Sequence, residues 1–128
     1  MHKTNLLFVI TKLELGGAQK QLLSLIRGLD RRSFNLFLFT AKDGLLTKEA
    51  QAIDGLYVHR SSFLERPVNP VKDLLALAEI RSFIKKFNIE AVHTHSSKAG
   101  ILGRIAARLS GVRVIVHTVH GWSFHEFQ

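Results

Sequence analysis

Short apolar runs along this chain alternate with longer stretches in which apolar residues recur at helical spacing. The apolar runs predict strands at residues 5–11, 35–40, 56–60, 91–94 and 113–119, and the stretches between them predict helices at 18–29, 46–53, 70–87 and 98–110. The third helix has the clearest start. Asn69 can cap the first free N–H groups, and Pro70 occupies the first turn, where a missing N–H costs nothing. Val71, Leu74, Leu75, Leu77, Ala78, Ile84 and Phe87 are expected to form its buried face. The fourth helix has Ser96 or Ser97 as N-cap and Gly111 for the left-handed position after its end. Strands alternating with helices at this spacing imply an α/β fold with a Rossmann-like, doubly wound parallel sheet and right-handed crossovers. Residues 61–70, SSFLERPVNP, break the pattern with two prolines and are expected to be a loop on the strand-end edge, either carrying ligand contacts or only connecting elements.

The 128 residues, 46% of them hydrophobic, suit a single packed domain. The absence of cysteine removes disulfides and thiolate chemistry. The first residues carry only a short apolar stretch without a cleavage site, so neither a secretory signal nor a transmembrane helix is expected, and a cytoplasmic location follows as the expectation. The formal net charge of +8 favours anionic partners. The cations are scattered, with Arg27, Arg31 and Arg32 after the first helix, Arg81, Lys85 and Lys86 in the third, and Arg104, Arg108 and Arg113 in and beyond the fourth. Two readings stay open: solvated helix faces, or docking on an anionic bilayer surface. No basic motif with interleaved aromatics is present, which argues against nucleic acid as a partner.

Candidate chemistry clusters at the predicted strand ends. The first strand leads through KLEL into Gly16-Gly17 at the mouth of a helix, where backbone N–H groups and the helix dipole favour a phosphate. Neither G-x-G-x-x-G nor a P-loop occurs nearby, and such a pair taken alone more often marks tight packing than phosphate binding. Two later strands both end in histidine. His93 and His95 should share a face, and His117 and His120 lie at the next strand end. Ligands of open α/β sheets bind outside the carboxyl ends of the strands, so these features should converge. No acidic residue falls between His93 and His125, so no metal site is expected.

The Gly-Gly-Ala-Gln loop at 16–19, HTHSSKAGILGRIAARLSGV at 93–112 and VHTVHGWSFH at 116–125 together resemble the N-terminal domain of the retaining glycosyltransferases of family 4. The resemblance implies one half of the two-domain GT-B architecture, with residues 1–128 as an incomplete acceptor-side domain and the donor-binding domain missing. It implies transfer of a sugar from a nucleotide-sugar donor to a lipid-linked, polysaccharide or small-molecule acceptor, with retention of configuration and without a metal or other cofactor. It places Gly16 and Gly17 against the donor diphosphate and His120 at the reacting sugar, with His95, Ser97, Lys98 and Thr118 as further acceptor or phosphate contacts. Plainer readings stand beside these: Ser97 as an N-cap, Lys98 as a solvated first-turn residue, and His120 as a core histidine under the Gly121-Trp122 turn. An isolated fragment of this kind is expected to be inactive. The alternative is a non-catalytic Rossmann-like binding module, or a subunit of a split glycosyltransferase.

Overall fold

A computed structural model describes residues 2–11, 17–65, 69–95 and 97–118. The element order is β1 (Thr4–Val9), α1 (Gly17–Gly28), β2 (Phe34–Ala41), α2 (Thr47–Gln51), β3 (Leu56–Ser61), α3 (Pro70–Lys86), β4 (Ala91–His95), α4 (Ser97–Leu109) and β5 (Val114–Thr118). All pairings are parallel, and the spatial order is β3-β2-β1-β4-β5. The order reverses between β1 and β4, the topological switch point at which open sheets of this kind hold ligands.

The alternation of β1 explains the two layers. Phe8 and Ile10 face one side, where they pack with Leu22, Leu23 and Ile26 of α1 and with Leu36 and Leu38 of β2. Leu7 and Val9 face the other, against Ile80 and Ile84 of α3 and Leu102 and Ala106 of α4. A central strand buried on both faces reads as a continuous apolar run, which is what LLFVI is.

Local signals set the helix ends. Asn69 Oδ1 accepts the Lys72 N–H at 3.1 Å, and Asp73 Oδ2 accepts the Asn69 N–H at 3.4 Å, a reciprocal cap. Helix α4 ends as expected at Gly111, whose φ is +77°, with the Val112 N–H donating to the Ala107 carbonyl at 3.0 Å. Asn88, with φ at +52°, closes α3 in the same way, the Ile89 N–H donating to the Ile84 carbonyl at 2.9 Å.

The buried face of α3 differs from the expected one. Ala76, Ile80, Phe83 and Ile84 are buried, whereas Val71, Leu74 and Leu75 are 69%, 66% and 43% exposed and Ala78 is also exposed. Ile84 was on the expected face, and Leu77 and Phe87 pack partly against the core. Ala76, Ile80 and Ile84 recur every four residues and fix the stripe, with Phe83 set edge-on against Phe37 and Phe39. The leucines that dominate the composition of the first turns lie on the opposite side.

Helix α4 approaches the sheet closely because two of its residues lack a Cβ. A methyl on Gly103 would lie 2.6 Å from Thr94 Cγ2 and 3.6 Å from Val9, and one on Gly100 would enter the His117 ring. Thr94 is fully buried, and its hydroxyl shares a 2.7 Å hydrogen bond with His117 Nδ1, so it cannot swing aside. Overpacking of this kind costs about 1–3 kcal/mol, against a gain of about 1 kcal/mol from replacing glycine inside a helix. Gly103→Ala is therefore expected to lower unfolding free energy by up to about 2 kcal/mol in urea titrations. Raised stability would contradict the close contact.

Candidate active site at the carboxyl edge of the sheet

The carboxyl edge is assembled from the ends of all five strands. Beyond β1 the chain stays buried through Ile10 and Thr11, the Ile10 N–H donating to the Phe39 carbonyl at 3.1 Å and the Ala41 N–H to the Thr11 carbonyl at 2.9 Å. Gly17 then opens α1 and is exposed. Among the described residues, a Cβ built on Gly17 meets nothing within 4 Å. Gly17 is also not among the residues of positive φ, which in the described chain are Asn88, Gly55 and Gly111. Among the described residues, neither packing nor a left-handed backbone requires glycine at position 17. Gly16 lies outside the described residues.

The histidine half of the edge sits on β4 and β5. His93 and His95 share one face, their ring centroids 4.3 Å apart and 5.5 and 6.3 Å from the Phe8 ring. His95 is 2% exposed, so it forms the floor of the edge rather than an open wall. His93 Nε2 and Thr118 Oγ1 share a 2.5 Å hydrogen bond that ties β4 to β5. This places His93, His95 and Thr118 on the α1 face, while His117 lies on the opposite face against α4. Ser97 begins α4. His120 lies outside the described residues, as does the Gly121-Trp122 turn.

Lys98 is not a solvated first-turn residue. Its ammonium is 2.6 Å from Asp73 Oδ1 and donates to the Glu65 carbonyl at 2.5 Å, and the two side chains of the ion pair are 14% and 21% exposed. Lys72 in turn reaches Glu65 Oε2 at 3.3 Å. Lys98 thus clamps the start of α4 to the start of α3 and to the loop after β3. Removing it would leave the Asp73 carboxylate half-enclosed without its cation. We expect Lys98→Ala to cost about 2 kcal/mol, less than the loss from a fully buried pair. Chemical denaturation reads this directly, and stability equal to that of the parent would show that the pair is ornamental.

A second cluster orders the same loop. Ser61 Oγ donates to Glu79 Oε1 at 2.5 Å and accepts the N–H groups of Phe63 and Leu64, while His59 Nε2 is 2.7 Å from Glu79 Oε2. The carboxylate stands between serine and histidine, so the imidazole is not placed to take the serine proton, and the cluster is an anchor rather than a nucleophilic triad. Two carboxylates held below their ordinary range lie elsewhere: Glu90, through hydrogen bonds from the Asn5 N–H and then His2, and Asp30, through hydrogen bonds from the Arg32 backbone and then its side chain. Glu90 precedes β4 and Asp30 precedes β2, at the amino edge.

Sequence reasoning overlooked Gly100 and Gly103, although their three-residue spacing beside Ala106 and Ala107 marks a small-residue face on α4. It also overlooked Asp73 and Glu79, whose partners come from other elements.

A parallel sheet of this order, with a helix mouth and a pair of histidine-bearing strand ends on one edge, is a Rossmann-like domain of the kind paired in GT-B enzymes. The sequence profile of Glycosyltransferase Family 4 matches residues 15–128. An Escherichia coli UDP-Gal:alpha-D-GlcNAc-diphosphoundecaprenol alpha-1,3-galactosyltransferase is 40% identical over 110 residues, covering 86% of this chain and 28% of the relative. The fold is shared with a glycosyltransferase from Rickettsia africae (TM-score 0.74, 21% identity, 99% of this chain and 34% of that one). It is also shared with MurG from Acinetobacter baumannii (TM-score 0.72, 17% identity, 96% of this chain and 38% of that one). The chain belongs to glycosyltransferase family 4. It spans less than a third of the length of the galactosyltransferase it matches.

Proposed function

We propose that this chain forms the acceptor-side wall of a retaining glycosyltransferase, which moves a hexose from a nucleotide sugar to a glycan or lipid-linked acceptor. The observation that carries the reading is the strand order, which sets the β4 and β5 ends, joined by His93 and Thr118, beside the end of the strand that precedes α1. Negative charge grows on the departing diphosphate as the glycosidic bond breaks. Backbone N–H groups at Gly16 and Gly17, at the positive end of α1, are suited to stabilise it. The open space at Gly17 among the described residues supports this, since a ligand can approach the backbone there without displacing any of their atoms.

In this reading His120 orients groups at the reacting sugar, and the leaving phosphate removes the acceptor proton on the face from which it departs, so no divalent metal is required. Thr118 and Ser97 are assigned to acceptor contacts, His95 forms the floor beside Thr118, and Lys98 holds the neighbouring loop in place. The E. coli relative uses a diphosphoundecaprenol-linked acceptor, which favours a lipid-linked acceptor and a peripheral position at the cytoplasmic face of a membrane. On the outer surface of α3 and α4, exposed Leu74, Ile101, Ile105 and Leu109 stand near Arg81, Arg104 and Arg108, a combination suited to an anionic bilayer surface. Among the described residues no helix is long and apolar enough to cross a membrane.

One wall of a cleft open to water cannot hold preorganised donors around developing charge. The 128 residues alone are therefore expected to transfer no sugar and to bind nucleoside diphosphates weakly, at millimolar rather than micromolar concentrations, in calorimetric titration. Tight, base-selective binding would overturn the assignment of this chain to the acceptor side.

A further inference from the structure

At the carboxyl ends of β2 and β3 lies a cavity of about 580 Å³ with an unusual charge balance. Lys42, Lys48 and Arg60 line it, and Asp43 is the one acidic residue among its lining. The three cations are exposed, and none forms an ion pair among the described residues. Nearby arginines, in contrast, are occupied: Arg27 with Glu49 at 2.6 Å, and Arg31 with the carbonyls of Ile26, Leu29 and Asp54. The parallel register sets Arg60 beside Thr40, and Lys42 is fixed next to Ser61 through its N–H, which donates to the Ser61 carbonyl at 2.9 Å. Cations brought around one concavity by the fold repel each other unless an anion joins them. Thr47, also in the lining, is 5% exposed, and its hydroxyl has no hydrogen-bond partner. The Thr40 hydroxyl, at the end of β2, is likewise buried without one. A buried hydroxyl left unpaired costs about 1–3 kcal/mol, which an acceptor oxygen arriving in the cavity would recover in part.

We propose that this cavity is a second anion subsite, which takes a phosphate or diphosphate group of the acceptor. The acceptor assignment rests on the glycosyltransferase reading, while the affinity for phosphate stands on the cavity itself. Neighbouring strands are about 4.8 Å apart, so the ends of β2 and β3 lie roughly 5–10 Å along the edge from the end of β1. One sugar ring spans such an interval. An acceptor hydroxyl held opposite the α1 mouth would then place the phosphate on the far side of its sugar between Lys42, Lys48 and Arg60.

The test is a titration of the chain with inorganic pyrophosphate in a phosphate-free buffer, followed by amide and arginine Nε–H chemical shifts. Saturable shifts should be concentrated at residues 42–48 and at Arg60. Lys42→Gln combined with Arg60→Gln should weaken binding about tenfold or more, the scale of losing charge-assisted hydrogen bonds, whereas Lys85→Gln should not. Absence of saturable shifts, or an equal loss with Lys85→Gln, would overturn the subsite. Sedimentation with phosphatidylglycerol vesicles separates the two sources of phosphate. Vesicle binding unchanged in the double variant supports an acceptor group, and vesicle binding abolished by it overturns that assignment in favour of a bilayer headgroup. Pyrophosphate binding is read without any transfer reaction, so its failure leaves the glycosyltransferase reading intact, and failure of transfer leaves the subsite to be judged by binding alone.

Discussion

Replacing His120 with alanine in an enzyme that contains the whole cleft is expected to lower turnover by about two orders of magnitude or more, the usual loss when one preorganised transition-state donor is removed. The expectation rests on the family motif at 116–125 and on the position of β5, which precedes most of it. Thr118, the last described residue of that strand, lies on the α1 face of the sheet and is bound to His93. His120 follows two residues later in the sequence, outside the described residues. If His120 acts in the transition state, His120→Ala should lower kcat and kcat/KM together while KM for the donor changes little. A raised KM with kcat unchanged would make it a simple binding residue.

Gly17→Val should have an effect of similar size with a different signature. Among the described residues the position has room for a side chain and its backbone is outside the left-handed region, and valine is a better helix former than glycine, so the substitution should leave folding nearly unchanged. What valine takes away is access to the N–H groups at the mouth of α1. Transfer should fall by about a hundredfold while circular dichroism and the urea midpoint stay near those of the parent, because a displaced diphosphate loses at least one charge-assisted hydrogen bond of oxyanion-hole strength. Normal turnover would remove the phosphate role from this loop. A collapse of stability would instead mean that the glycine serves the fold.

The parts of the molecule legible from sequence are those written locally. Asn69 with Pro70, and Gly111 after an apolar periodic run, mark helix ends through their own neighbours, and the observed ends fall within a residue of the expected ones. Strand positions followed from the apolar runs. Helix α3 was legible in extent but not in rotation, because Val71, Leu74 and Leu75 outnumber the small residue Ala76 that faces the sheet. Helix α2 is shorter than the pattern suggests, with Thr47–Gln51 as its helical core. Contacts that cross elements were out of reach. Nothing near Lys98 in sequence announces Asp73, and nothing near Lys42 announces Arg60, which arrives only through β2–β3 pairing. For the candidate site, the shared face of His93 and His95 followed from the strand period, but the depth of His95 depends on Phe8 of a neighbouring strand.

Sugar transfer at the carboxyl edge of this sheet, between the ends of β1 and β4, requires the departing diphosphate to lie there. A crystal structure of the complete enzyme with a nucleoside diphosphate bound tests it most directly. A phosphate oxygen is expected within about 3 Å of a backbone nitrogen at Gly16 or Gly17, with the His120 ring opening into the same cleft. A diphosphate bound elsewhere with the Gly17 N–H facing solvent, or a His120 ring enclosed by core side chains, would contradict it.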